Sequence, residues 1–181
     1  MLMEDLTLWA TLLIAGTLVL LVVVPTLRTG APPMPSSRAV RSGVGEALAQ
    51  HASEHAPIYD FGSGWGGMAR YLARRFPDRK VTGIEASVLP WLVSAAFRWA
   101  FGPENLRYVY GDFRKYTLDP PFSVIGYLGP SLSAGLTAAV KSAGDPSCRV
   151  ISCYFALPDL ILIDRRTARD LYRTQIYTYR V

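Results

Sequence analysis

The chain has few of the residues on which many catalytic and metal sites depend. Its 181 residues include only two cysteines and two histidines. Cys148 and Cys153 are too few and too irregularly spaced for a zinc site or a disulfide scaffold. His51 and His55 have no cysteine or acid at ligand spacing, so no metal is predicted. There is also no visible Ser-His-Asp set and no pair of catalytic carboxylates, so the sequence does not predict triad or metal chemistry.

Acidic residues are in the minority. The chain has 14 acidic against 19 basic residues, a net charge of +5, and half of its residues are hydrophobic. This size suits one domain with a full core and an additional apolar segment, and there is no internal repeat. A basic surface can indicate nucleic acid binding. Attraction to an anionic inner leaflet is the simpler interpretation here, so nucleic acid is not the expected partner.

One long run near the amino terminus lacks charge altogether. Residues 6–24 form an apolar stretch of about 19 residues, roughly 28 Å as a helix, which is close to the thickness of a bilayer core. Acids precede the stretch and no small-x-small cleavage site follows, which favours an anchor over a cleaved signal peptide. Arginines follow it, so the positive-inside rule predicts a single-pass membrane protein with a cytoplasmic domain. The predicted parts are an anchor (1–27), a Pro-rich linker (28–37) and one folded domain (38–181).

The folded domain alternates between strand and helix patterns. Helices are predicted over 38–50, 68–76, 88–101 and 131–142, and strands over 58–61, 80–86, 106–113, 122–128 and 149–157, with an edge strand or hairpin in 171–181. Such alternation predicts an α/β fold with a Rossmann-like, doubly wound and mostly parallel sheet. In the 88–101 helix, core packing is expected for Trp91 and Trp99 and for one apolar face: Leu89, Leu92, Val93, Ala96 and Ala100.

The strand that begins at Ile58 runs into a loop that contains Gly62, Gly64 and Gly66. Glycine lets the chain turn through φ > 0 and lets a ligand approach the backbone closely. The helix that follows would present free N–H groups and the positive end of its dipole, which suits a carboxylate or a phosphate.

Glu85 ends the next apolar run, about one βα unit downstream, and is expected beside the loop, within reach of ribose hydroxyls. Together these features predict a site for the nucleoside part of a cofactor. Because Gly62, Gly64 and Gly67 also satisfy G-x-G-x-x-G, a dinucleotide remains possible at this point.

Two further acidic residues, together with the glycine loop and Glu85, form a pattern that is similar to a known family. Asp60 lies two residues before the first glycine, and Asp112 ends the third strand-like run. These residues resemble the class I S-adenosylmethionine-dependent methyltransferases. The resemblance implies S-adenosylmethionine as cofactor, with Glu85 on the ribose, Asp112 and Phe113 beside the adenine, and a last strand that inserts antiparallel. The implied cofactor-binding residues are Asp60, Gly62, Ser63, Gly64, Gly66, Glu85, Asp112 and Phe113.

Two other segments narrow the resemblance. Pro32–Ser37 and Pro90–Val93 are similar to segments of the small membrane-anchored lysine methyltransferases that modify the adenine nucleotide translocase and the ATP synthase c subunit, and of their bacterial relatives. This similarity implies a protein lysine or another amine near the membrane as acceptor, and it implies that Pro35–Ser37 folds over the cofactor. The chain departs from that group in having Trp65 and Gly67 in the loop.

The acceptor side is expected after the fourth strand, at Tyr127-Leu-Gly-Pro130. The family carries an acidic or amide residue, two prolines and an aromatic there, of which Tyr127 and Pro130 remain as predicted acceptor-pocket residues. Two alternatives stay open. An NAD-binding oxidoreductase would need a Tyr-x-x-x-Lys-like pair or a substrate domain, and neither is present. An inactive cofactor-binding scaffold would fit the reduced acceptor motif and Trp65.

Overall fold

The computed structural model describes residues 35–143 and 145–181, together with residues 5, 7–13, 15–17, 19 and 23 near the amino terminus. The described residues of this amino-terminal segment are helical and exposed. The predicted membrane span, residues 6–24, and the linker up to residue 34 lie partly or wholly outside the described residues. Within the described part, no helix has both the length and the hydropathy needed to cross a bilayer.

Strands and helices alternate through most of the described domain. The strands are β1 (Ile58–Phe61), β2 (Val81–Glu85), β3 (Leu106–Tyr110), β4 (Ser123–Gly126), β5 (Arg149–Cys153), β6 (Ile161–Thr167) and β7 (Gln175–Arg180). The helices are α1 (Arg38–His51), α2 (Gly67–Arg75), α3 (Val88–Phe101) and α4 (Pro130–Lys141), with a short 3₁₀ turn at Phe113–Lys115. All four predicted helices are confirmed within about two residues at each end, which is the usual uncertainty of helix boundaries.

The strands form one sheet in the order β3-β2-β1-β4-β5-β7-β6. The first five strands pair in parallel, and β7 runs antiparallel to both β5 and β6. The predicted Rossmann-like, mostly parallel sheet is therefore confirmed. The last strand inserts antiparallel, as the family resemblance implies, but its expected position at the edge is wrong, because β7 lies between β5 and β6. The edge of the sheet next to β7 is formed by β6, a strand that the sequence did not predict.

The central strands are buried on both faces. Every residue of β1, β2 and β4 is buried, as expected for parallel strands that are covered by helices on both sides. One core cluster packs α1 and α2 against the sheet, with Val44, Leu72 and Ile125 among its members. A second cluster lies on the opposite face and includes Phe61 and residues of α4. The carboxyl ends of the parallel strands thus meet at one edge of a rigid layer.

Helix α3 is packed differently from the prediction. Only Pro90 and Ser94 of this helix are buried. The expected core face is wrong for Leu92, Ala96 and Ala100, which are exposed, and Leu89 and Val93 are only half-buried. Trp99 was also expected in the core, yet 88% of it is exposed, while Trp91 is half-buried against the ring of Tyr110. The physical reason is that α3 packs at the other edge of the sheet, which is formed by β3. Within the described structure, nothing lies beyond α3 to cover its outer side.

Candidate cofactor site

The glycine loop connects β1 to α2 through three residues with left-handed backbone. Gly62, Gly64 and Gly66 have φ angles of 70°, 51° and 75°. A Cβ on Gly66 would lie 2.3 Å from Tyr108 Oη, so no side chain fits there. A Cβ on Gly64 would meet nothing within 4 Å. Gly64 therefore borders open space that a ligand can enter, whereas Gly66 closes the turn against the protein.

Glu85 holds this loop from the neighbouring strand. The backbone N–H of Gly64 donates to Glu85 Oε2 at 2.7 Å, and the N–H of Ser87 donates to Oε1 at 2.7 Å. The carboxylate is buried, yet each of its oxygens has a second lone pair. Glu85 is thus fixed in orientation and can still accept hydrogen bonds from a ligand's hydroxyls.

Asp60 lies beneath the loop in the protein interior. Its Oδ2 accepts a hydrogen bond from the N–H of Ala69, in the first turn of α2, at 3.1 Å. Burial raises the pKa of Asp60 to about 7; the Ala69 hydrogen bond opposes this shift and the nearby Glu85 charge adds to it. Asp60 therefore caps the helix from within, and its carboxyl changes protonation near neutral pH.

Ser63 supplies a group that nothing in the described structure satisfies. Its backbone N–H donates to the carbonyl of Ile84 at 3.1 Å, which fixes the loop to β2. Its hydroxyl is buried and has no hydrogen-bond partner among the described residues. Buried polar groups are normally paired; this hydroxyl packs near Gly83 of β2, and its contact with a ligand stays a prediction. The Gly64 N–H is already paired with Glu85, so the remaining lone pairs of the Glu85 carboxylate are the groups that fit the hydroxyls of a nucleoside sugar.

The two residues predicted beside the adenine are already engaged in other contacts. Asp112 caps the 3₁₀ turn and forms a two-pronged ion pair with Arg114, with Arg114 Nη2 at 2.6 Å from Oδ2. This hydrogen-bonded pair holds the pKa of Asp112 below its usual value. The Phe113 ring is buried and stacks on Phe61 with a centroid distance of 4.8 Å. Both residues follow β3 at the same edge as Glu85, and their contact with adenine stays a prediction.

Tyr127 follows β4 at the carboxyl edge of the sheet and is half-buried, and Pro130 is the first residue of α4 and is exposed. Burial raises the pKa of the Tyr127 hydroxyl, a hydrogen bond with Thr174 lowers it, and nearby Cys153 and Asp170 add to the rise. The structure therefore places Tyr127 in a polar cluster, whereas the acceptor role of Pro130 stays a prediction without a contact to support it.

The cluster around Tyr127 includes a carboxylate that the sequence did not single out. Asp170, in the turn between β6 and β7, accepts from the N–H of Thr174 at 2.8 Å and from its hydroxyl at 2.7 Å. Partial burial opposes ionisation of Asp170, but the Thr174 bonds and a hydrogen bond with Ser37 outweigh it and lower its pKa. The end of the predicted linker, Ser37, thus meets the β6–β7 turn. The carboxylate of Asp170 is fixed and charged at neutral pH.

Two side-chain-bearing residues near this cluster have left-handed backbone. Tyr154 follows β5 with φ 77°, and Arg173 precedes β7 with φ 49°. The N–H of Tyr154 donates to the carbonyl of Gln175 at 2.7 Å, which ties the two segments together. Such conformations cost about 1–3 kcal/mol and recur at functional sites. Half of Tyr154 is exposed, and it lies near enough to Tyr127 to add to the rise in the pKa of Tyr127.

Sequence reasoning missed two contributors to the site. Tyr108 of β3 donates its hydroxyl to the carbonyl of Gly66 at 2.7 Å and shapes the loop from the side. Asp170 is brought to Tyr127 only by the pairing of β7 with β5. A tyrosine within a strand pattern predicts packing in the core, and an acid in a turn predicts exposure to solvent. Neither pattern indicates a functional role.

Comparisons with known proteins give a fold match without a close relative. No protein-family model matches the sequence, and no curated protein matches it. An RNA methyltransferase from Salinibacter ruber, crystallised with S-adenosyl-L-homocysteine, has a TM-score of 0.69 and 21% identity, covering 82% of this chain and 94% of its own.

Two further structures match over slightly less of the chain. The magnesium protoporphyrin IX methyltransferase of Synechocystis PCC 6803, with bound S-adenosylmethionine, has a TM-score of 0.59 and 15% identity, covering 78% of each chain. Fibrillarin from Aeropyrum pernix, which also holds S-adenosyl-L-methionine, has a TM-score of 0.61 and 12% identity, covering 76% of this chain and 74% of its own. The chain therefore has the fold of the class I methyltransferases.

Proposed function

We propose that the protein is an S-adenosylmethionine-dependent methyltransferase. The observation that carries the proposal is the loop from Gly62 to Gly66, whose open position at Gly64 lies directly against the Glu85 carboxylate. This arrangement stands in a fold that matches solved methyltransferase structures. The predicted cofactor is thus supported by both the loop with its Glu85 carboxylate and the fold.

Each part of the site has a role in the proposed reaction. The glycine loop and the amino end of α2 would hold the amino-acid portion of the cofactor, and Glu85 would accept from its ribose hydroxyls. The cofactor, when bound, supplies a methyl group on a positively charged sulfur. The protein's task is then to align the acceptor and to exclude water, which requires little acid–base machinery. The lack of a catalytic triad is consistent with that demand.

Sheet order argues against the oxidoreductase alternative. The dinucleotide-binding Rossmann fold has the strand order 3-2-1-4-5-6. Here an antiparallel β7 stands between β5 and β6. The inactive-scaffold alternative shares this sheet, so only a turnover measurement separates it from the enzyme.

The acceptor we propose is an amine, and specifically a protein lysine near a membrane. An ordinary lysine has a pKa near 10.4, so transfer requires a site that orients the amine and favours its neutral form. Tyr127 and Asp170 offer an aromatic wall and a fixed carboxylate at the carboxyl edge of the sheet.

The amino-terminal segment is proposed as the membrane anchor, with the folded domain in the cytoplasm. Its described residues are helical, and they expose large apolar side chains at Leu8, Trp9, Leu12, Leu13, Val19 and Val23. Exposed apolar side chains grouped in this way mark a surface for contact with lipid or with another apolar partner.

Calorimetric titration tests the cofactor. The full chain in mild detergent is titrated with S-adenosylmethionine, S-adenosylhomocysteine and NAD in parallel. Micromolar binding of the two adenosyl ligands alone supports the proposal, whereas binding of NAD or of no ligand overturns it. Transfer of tritium from methyl-labelled cofactor to membrane proteins then tests turnover, and binding without any transfer would favour the scaffold.

A further inference from the structure

Helix α3 carries an apolar stripe on its outer side. Val88, Leu92, Ala96 and Trp99 are spaced by three or four residues, and they all are exposed. The exposed fraction rises along the stripe from 38% at Val88 to 49% at Leu92 and 88% at Trp99. A helix of 14 residues that leaves this stripe uncovered calls for an apolar partner.

Arginines line a groove between α1 and α2. The groove has a volume of about 550 Å³ and is lined by Arg41, Gly67, Arg70, Tyr71, Arg74 and Arg75. Among the described residues, no carboxylate forms a salt bridge with any of these four arginines. Four guanidinium groups without a counter-charge attract anions, and their forked donors match the oxygens of phosphate groups.

The arginine groove and the apolar stripe belong to one continuous surface. The guanidinium of Arg70 lies 5.0 Å from the ring centroid of Phe97, so α2 and α3 touch where the charged part meets the apolar part. Ser94 of α3 packs beside Gly66, on the sheet face that α1 and α2 cover. The three helices thus form one layer, whose outer side is cationic over α2 and the start of α1 and apolar over α3.

We propose that this helix layer docks onto a bilayer that contains anionic lipids. Headgroup phosphates would occupy the arginine groove, while Leu92 and Trp99 would enter the boundary between headgroups and acyl chains. Interfacial helices combine these features, and tryptophan favours this depth of the membrane. A nucleic acid would match the arginines but would leave the α3 stripe in water. The proposal concerns a different surface from the cofactor site and does not depend on methyl transfer.

A local fluorescent probe tests the contact of α3 in the full chain. The native cysteines are both buried, so Trp99→Cys can be labelled selectively with an environment-sensitive dye. Lys141→Cys, exposed on α4 beyond the opposite face, is the matched control. On vesicles of phosphatidylcholine and phosphatidylglycerol, the dye at position 99 should shift to the blue, and the dye at position 141 should not. Tethering by the amino-terminal segment alone would leave both probes in water.

Charge removal tests the groove. The Arg74→Gln/Arg75→Gln variant should lower partitioning onto the anionic vesicles by about fivefold per arginine, which corresponds to about 1 kcal/mol each. The Arg169→Gln/Arg180→Gln variant removes the same charge from exposed positions near the far end of the sheet and should change partitioning much less. Melting temperatures confirm that each variant is folded.

Three results would overturn the proposal. The first is the absence of a shift at position 99, or an equal shift on pure phosphatidylcholine. The second is a shift that appears with rising protein concentration in the absence of lipid, which would assign the stripe to a second copy of the chain. The third is arginine-dependent binding of single-stranded RNA with no arginine dependence on vesicles, which would assign the groove to nucleic acid.

Discussion

The backbone N–H of Gly64 donates to Glu85 Oε2 across 2.7 Å, which joins the glycine loop to the end of the neighbouring strand. The same carboxylate accepts from Ser87 N, so it stabilises the loop and the start of α3 at once. Because Glu85 is buried, these two bonds fix its orientation before any ligand arrives. Preorganisation of this kind lowers the entropy cost of binding.

Replacement of Glu85 should therefore weaken cofactor binding. The Glu85→Ala variant loses the acceptor for ribose hydroxyls and should lower the affinity for S-adenosylhomocysteine by about 1–3 kcal/mol. Glu85→Gln keeps one acceptor oxygen and should have an intermediate effect. Glu104→Ala, at an exposed position, is the control and should bind normally. Calorimetry measures all three, and unchanged affinity in Glu85→Ala would remove this residue from the site.

Alanine at Gly64 should affect both stability and binding. The φ of 51° is unfavourable for a residue with a side chain and should cost about 1–2 kcal/mol of folding free energy. The new Cβ also enters the open space that the ligand needs, so calorimetry should show a larger loss of affinity than the loss of stability explains.

Gly67→Ala is the matched control for that change. Gly67 begins α2, and its Cβ would approach nothing closer than 3.8 Å, so stability should stay equal or rise slightly. Urea denaturation of both variants checks the expectation. Equal binding by Gly64→Ala and the wild type would show that the space beside Gly64 is not part of the site.

The sequence predicted the sheet and the glycine loop because both depend on local patterns. Apolar runs such as Val81–Glu85 recur between helical periods, and the close spacing of Gly62, Gly64 and Gly66 leaves few backbone alternatives. The confirmed parallel pairing of β1 to β5 follows from the short right-handed connections between these units. Elements with such strong local patterns can be predicted without knowing which distant residues are in contact.

The errors arose where a tertiary contact decides the outcome. Helix α3 is apolar nearly all round and has one charged residue, Arg98, so its periodicity could not distinguish the covered face from the exposed one. Strand β6 combines an apolar start with a charged end and lies at an edge, where alternation is weak. Asp170 joins Tyr127 only because β7 turns back between β5 and β6, which no local pattern predicts.

Ionisation of Asp60 should make the protein less stable as the pH rises. Its pKa is about 7 in the folded protein, above its ordinary value of 3.8, because burial disfavours the charged form. A carboxyl group whose pKa is raised by folding contributes stability that is fully present below its pKa in the unfolded chain. This contribution is lost as the pH rises through its pKa in the folded protein. The loss should occur between about pH 4 and 7 and be on the order of 4 kcal/mol.

Asp60→Asn isolates this effect from the other acids. The amide oxygen of asparagine can still accept from the N–H of Ala69, but it cannot ionise. The variant should match the wild type near pH 4 and be more stable than it near pH 8. Urea denaturation across this range gives the difference between the two curves, and parallel curves would show that Asp60 is not responsible.

Asp170 and Tyr127 should affect methyl transfer more than cofactor binding. Among the described residues, no hydrogen bond joins Asp170 or Tyr127 to Gly64 or Glu85, so Asp170→Asn and Tyr127→Phe should leave the affinity for S-adenosylhomocysteine within about twofold. Loss of the fixed carboxylate should reduce tritium transfer to an amine acceptor by at least about tenfold, since a charge-assisted contact contributes roughly 1.5–3 kcal/mol. Asp159→Asn, which changes an exposed acid elsewhere, should transfer normally. If Asp170→Asn retained full transfer while Glu85→Ala lost it, the acceptor would bind away from the β6–β7 turn.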